Sequence, residues 1–195
     1  MAYIGNKPTA VPLTSGDITN GIITSAKLAA GVGGKVLQVI QTVETDATAI
    51  GSLDTITEFI SASITPSSSS NKILITCDGV YSNSSDDSFG HILLFKGSSL
   101  ISGAIGDANS SAYRATTGAS PRTAGGITHN VVRQFSFQYL DSPSTTSATT
   151  YSGRAVCTNN TTMYIGRSGT VVDDNRGSYI TSITLKEIAG WLLKQ

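Results

Sequence analysis

Charge is what this sequence has least of. Lys and Arg number 13 and Asp and Glu another 13, so that charged residues make up 13% of the 195 positions, against roughly a quarter in an ordinary globular chain. The formal balance is zero. No global field therefore draws the protein to nucleic acid or an anionic membrane, and neither partner is expected. Cysteine is nearly absent: Cys77 and Cys157 are too few and too far apart for a disulfide framework or a zinc site. Two buried thiols are the default expectation, with a bridge between them left open. No run approaches the length that spans a bilayer. Residues 1–16 have neither a basic n-region nor an apolar h-region, so a soluble product of the cytosol is expected. The sequons beginning at Asn83, Asn109, Asn159 and Asn160 then read as loop composition, not as glycan sites.

A catalytic constellation is also missing. Only two histidines occur. His91 sits in a strand pattern beside Phe89 and Leu93, and His129 at a strand start; neither has the Cys, Ser or carboxylate spacing of a triad or metal site. His91 is expected to be a packed or interface histidine. Asp86-Asp87 and Asp173-Asp174 lack the ordered spacing of a calcium loop, and read as solvated turns. Glycan-cleaving carboxylate pairs would have to come from acids that are few and mostly in loops. The chain is expected to be no enzyme and to need no cofactor or metal.

What is present in quantity is Ser, Thr, Asn and Gly, a mixture suited to pleated strands and turns. In residues 13–34, LTSGDITNGIITSAKLAAGVGG, the larger apolar residues Leu13, Ile18, Ile23 and Leu28 recur every five positions, and Gly16, Gly21, Ala26 and Gly31 keep the same step. Neither a helix nor a strand places a five-residue step on one face. Copies wound about a common axis would dry these side chains, with small residues at the close approaches. The alternative is a flexible linker with an accidental step. The one candidate helical turn is at 25–30, with Ser25 as N-cap and Gly31 beyond its end. Before it, residues 1–12 hold Tyr3, Ile4 and Val11 between turn-formers and two prolines, an extended peptide able to dock on a groove or sheet edge.

Gly33-Gly34 marks a boundary, giving an attachment and self-association segment at 1–34 and a head domain at 35–195. KVLQVIQTV, from Lys35, has apolar side chains on both faces, Leu37, Val39 and Val43 on one and Val36 and Ile40 on the other. This suggests an edge strand pressed against another subunit or the shaft. Strands follow at 55–65, 72–82, 89–97, 130–140 and 178–190, with a hairpin over 149–168 turning at Asn159-Asn160. Residues 98–128 read as a long excursion with at most one short strand near Leu100. The apolar tail at 191–193 is expected to pack on the domain or a neighbour. Together these patterns predict an all-β sandwich of the jelly-roll kind.

The opening AYIGNKP, the segment SGDITNGIITSAKLA, the junction GKVLQVIQT, the internal DSPSTTSATTY and the closing SITLKEIAG together resemble tail-fibre and related virion proteins of tailed bacteriophages, particularly marine podovirus-like ones. The resemblance implies a homotrimeric appendage of the virion, made in the host cytoplasm and attached to a tail or adaptor protein. Tyr3, Ile4, Asn6 and Pro8 would lie in the attachment peptide, and Leu13, Ile18, Ile23 and Leu28 would approach a three-fold axis. The β-domain would face outward to a bacterial surface glycan or protein, with Tyr113, Arg114 and Arg122 of the long excursion as candidate receptor contacts. The chain departs from many such fibres in having almost no middle shaft, which favours a short spike or a piece mounted on a larger adaptor. The other reading is a purely structural head fibre, collar piece or adaptor decoration that binds no receptor.

Overall fold

The computed structural model describes residues 36–51, 55–84, 89–119, 131–158, 162–169 and 177–190, all within the unit Val36–Gln195. Several expectations fall outside the described residues: the attachment positions Tyr3, Ile4, Asn6 and Pro8; the axis positions Leu13, Ile18, Ile23 and Leu28; the turn at 25–30; Arg122, His129, both acidic pairs, Asn159-Asn160 and the tail at 191–193.

The described residues form two antiparallel sheets packed face to face, with no α-helix among them. The first is built around β4 (Lys72–Asn83). Along one side of it run β11 (Thr181–Ile188) and, further on, β10 (Met163–Ile165); β8 (Arg133–Asp141) runs along the other. Beyond β11 lies the edge strand β1 (Val36–Glu44), and beyond β10 lies β2 (Thr48–Ile50). The second sheet has the order β3 (Thr57–Ile64), β9 (Thr149–Cys157), β5 (Gly90–Lys96) and β6 (Ser99–Leu100), with the short β7 (Thr117–Ala119) also paired to β5. The long strands from β3 onward alternate between sheets: β4, β8 and β11 in the first, β3, β5 and β9 in the second.

Period-two patterning places the core. Along β11, Thr181, Ile183, Leu185 and Glu187 point inward and are buried while the residues between them are half-buried, as expected of a strand with one dry face. Beside them on the same inner face are Ile73, Ile75 and Cys77 of β4 and Phe135 of β8, and the second sheet contributes Ile92, Leu94, Tyr151 and Ala155 to the same core. Each fully buried Ile or Leu contributes about 1.5–3 kcal/mol. Gly153 of β9 lies under a side chain of its neighbour strand β3: a Cβ there would be 2.7 Å from Cζ of Phe59.

β5 departs from one-sided patterning. Ile92 and Leu94 enter the main core, whereas Leu93 and Phe95 join Val156 in a second cluster on the outer face. That cluster is covered by the excursion after β6, through Ile105 and Ala115. The described part of the excursion holds β6, a 3-10 turn at Ser102–Ala104 and β7, the last of which its Gly/Ala/Thr composition does not announce.

The expected hairpin over 149–168 is not formed. β9 pairs with β3 and β5 in the second sheet, while β10 pairs with β2 and β4 in the first. Alternation tells which face of a strand is buried and says nothing about its neighbour. Met163 and Ile165 bury fully from the first sheet, so sheet change is compatible with the same apolar pattern.

Candidate functional site

The registers of β1, β11, β4 and β8 align three rows of side chains on the outer face of the first sheet. Val43, Ser182, Asp78 and Ser136 form one row; Gln41, Thr184, Thr76 and Gln138 the next; Val39, Lys186, Leu74 and Leu140 the third. Asp78 and Lys186 are the only charged residues of the twelve. Ser136 donates to Asp78 Oδ1 at 2.5 Å, and Gln41 Nε2 to Thr184 Oγ1 at 3.0 Å. Past the first row the face continues into a groove of about 420 Å³ lined by Val80, Gln134, Tyr179 and Ile180 among others. Ile180 is 61% exposed and Val39 54%. Among the described residues nothing covers this face, in contrast to the second sheet, whose outer face carries the excursion.

β1 is the edge of the same sheet. A bulge after Val36 shifts the register, so Val36 and Leu37 are both exposed, as are Val39 and Val43. Ile40 turns inward and packs on the core. Natural edges are usually blunted by lysine, proline or inward charge, and this one has none until Glu44.

The candidate receptor contacts Tyr113 and Arg114 sit together on the excursion over the second sheet. The Tyr113 ring is stacked on the His91 imidazole, centroids 4.4 Å apart and planes 16° from parallel. Burial lowers the His91 pKa, so a neutral imidazole meets the phenol at neutral pH. Arg114 Nε donates to the Gly106 carbonyl at 2.8 Å, and Gly106 N to the Ala115 carbonyl at 3.1 Å, which closes the excursion on itself. Alongside, the Arg154 guanidinium lies 4.4 Å over the Phe95 ring and pairs with Glu58 at 3.0 Å. The structure thus gives His91 the packed place expected of it and engages Tyr113 and Arg114 within the loop.

Two buried polar centres were not singled out by sequence pattern. Glu187, only 1% exposed, accepts four hydrogen bonds and meets no cation among the described residues. Gln38 Nε2 and Asn71 Nδ2 donate at 2.6 Å each, Ser67 N at 2.7 Å and Ser67 Oγ at 2.8 Å. Burial by itself would raise its pKa; the four donors more than reverse this and hold the carboxyl at about 2. The second centre is Asp141, at the end of β8, which accepts from the buried Tyr151 hydroxyl at 2.6 Å and pairs with Lys96 at 3.0 Å. Cys77 and Cys157 are both buried; burial, and then the charge of Asp78, push the Cys77 thiol up to about 12. Among the described residues no three metal-ligating side chains gather, and no helix is long and apolar enough to cross a membrane.

No family model matches the chain, and no curated protein does. Among solved structures it is similar to a chain of "Structure of infectious bursal disease virus Gx strain", with 9% identity and a TM-score of 0.30 over 83% of this chain. The chain spans 44% of that chain's length. At that TM-score the likeness carries no argument about fold or function.

Proposed function

We propose that this chain is a virion structural protein of a tailed bacteriophage, a short homotrimeric fibre held to the tail or an adaptor through residues 1–34 and meeting the bacterial surface through its β-domain. It performs no catalysis in this reading. The observation that carries the proposal is the unblunted edge strand β1, with Val36, Leu37, Val39 and Val43 exposed, at the border of an outer face that no described residue covers. A polar sheet face can stand in water, but a run of exposed apolar side chains along such an edge marks a contact surface. The occupant is another copy of the same chain. Residue 36 follows directly on the segment whose five-residue repeat calls for identical copies, so gathering those segments raises the local concentration of the heads that follow them. The strand order β1-β11-β4-β8 against β3-β9-β5-β6 fits the jelly-roll reading of the head.

The resemblance in sequence supports the virion assignment, and Asp78 and Lys186, of opposite sign on one face, allow copies to meet without like-charge repulsion. Mass measurement in solution tests the proposal: a trimer is expected, and a monomer at micromolar concentration sinks it. Ile18→Asp with Ile23→Asp should leave the β-domain folded and weaken the trimer, because three pairs of charges would crowd one axis without partners.

One observation favours the second reading, a structural decoration without a receptor. Tyr113 and Arg114 both hold the excursion in place, so two of the three candidate contacts have a packing role. Saturable binding of purified trimer to host cells supports the fibre, and its absence supports the decoration.

A further inference from the structure

Where the edge of the first sheet meets the edge of the second, a cleft of about 300 Å³ opens between β8 and the β5–β6 hairpin. Its walls are Tyr139 and Asp141 on one side and Lys96, Ser99, Leu100 and the 3-10 turn with Ser102 and Gly103 on the other. That volume is at the small end of ligand pockets. Asp141, 7% exposed, is nearly buried but lines the cleft. Its Oδ2 is well satisfied, by Tyr151 at 2.6 Å and Lys96 at 3.0 Å, whereas Oδ1 has only the longer 3.3 Å contact with Lys96. The Tyr139, Ser99 and Ser102 hydroxyls make no hydrogen bond among the described residues. Gly103 lies against the Tyr139 hydroxyl, where a Cβ would come to 2.5 Å, so the absent side chain keeps this end of the cleft open.

We infer that this cleft binds one ring of a neutral sugar. A carboxylate and an ammonium side by side cancel in net charge, which disfavours a charged guest. Each sugar hydroxyl both donates and accepts. A hydroxyl between Asp141 and Lys96 therefore donates to Oδ1 and accepts from the ammonium, and the neighbouring ones meet Ser99, Ser102 and the Tyr139 hydroxyl. Leu100 and the Tyr139 ring offer apolar surface to the C–H face of the ring. The inference deepens the host-contact half of the proposed function and rests on it for its biological sense, yet it lies away from Tyr113 and Arg114 of the excursion.

The test is saturation-transfer NMR and calorimetry on the full-length protein with the methyl glycosides of glucose, galactose and mannose, and with N-acetylneuraminic acid as the charged comparator. At least one neutral glycoside should bind with a dissociation constant on the order of a millimolar, as fits a guest of that size. Ser102→Phe, at an exposed position of the turn, should weaken it at least tenfold with an unchanged circular dichroism spectrum. Ser99→Tyr serves in its place should Ser102→Phe unfold. No binding of any neutral glycoside, preference for N-acetylneuraminic acid, or equal binding by the variants each overturn the inference. The two proposals separate cleanly: a trimer that adsorbs to host cells equally well with Ser102→Phe keeps the fibre and removes the cleft, whereas a monomer that still binds the glycoside does the reverse.

Discussion

Replacing Glu187 by Gln removes one negative charge from the interior and almost no volume. The carboxylate gathers donors from three places: Gln38 on the edge strand, Ser67 and Asn71 on the turn before β4. Moving its pKa from an ordinary 4.5 to about 2 corresponds to roughly 3–4 kcal/mol in favour of the charged form in the folded chain, at about 1.4 kcal/mol per unit. In Glu187→Gln the amide NH2 would also face one of the donors that the carboxylate now accepts from. The expected loss at neutral pH is about 3 kcal/mol. Because the folded pKa is depressed, this stability is fully present above the unfolded value near 4.5 and disappears as pH falls through about 2. Urea unfolding followed by far-UV circular dichroism, at one protein concentration and several pH values, measures it. Wild type and variant should differ most at neutral pH and converge toward pH 2. A gap below about 0.5 kcal/mol at neutral pH, or one that stays constant down to that limit, would refute the account.

Val39→Lys with Val43→Lys should leave the fold intact by circular dichroism and weaken self-association by sedimentation equilibrium, since both side chains lie on the uncovered face. Cys77 should resist iodoacetamide at mildly alkaline pH in the folded protein and react in urea, read by mass spectrometry, because its thiol is raised to about 12. Tyr151→Phe removes a 2.6 Å hydrogen bond to buried Asp141 and should cost about 1–2 kcal/mol in the same urea assay. Gly153→Ala, whose Cβ would lie 2.7 Å from Phe59 and 3.1 Å from Ile60, should cost about 1–3 kcal/mol through overpacking.

Patterning carried the sandwich and most of its long strands. β4, β8 and β11 follow the alternation of Ile73, Ile75 and Cys77, of Phe135, Phe137 and Tyr139, and of Thr181, Ile183 and Leu185, since one dry face imposes a period of two. The doubly apolar β1 was also legible, and its outward Val39 and Val43 are exposed at a sheet edge. The partners of the strands were not legible. β9 and β10 carry hairpin-like sequence but enter different sheets, because register and pairing are decided by long-range packing. β2 and β7 have three residues each, too few for a period to show. Glu187 escaped notice because its side chain takes an inward position that pattern reserves for apolar residues; its donors are distant in sequence, Gln38 by 149 positions. The cleft is invisible for a similar reason: Lys96 and Asp141 are 45 positions apart and meet only where two sheet edges converge.

The two sheets are finished in opposite ways by one chain. On the second, the outer residues Leu93, Phe95 and Val156 are closed over by the excursion, which the Tyr113–His91 stack ties to β5 and the Arg114–Gly106 hydrogen bond closes on itself. On the first, an almost uncharged face ends in a nine-residue edge strand that carries no charge before its last residue, Glu44. Among the described residues, then, the chain covers one face with its own loop and leaves the other bare. The carboxylate of Glu187 reinforces this, since it holds the start of β1 through Gln38 and so keeps the uncovered edge in a fixed register. A fixed, exposed edge is a poor design for an isolated molecule, where it invites indiscriminate pairing. It is a workable one where an adjoining segment first brings together a set number of identical copies, because the face then meets its own kind before it meets anything else.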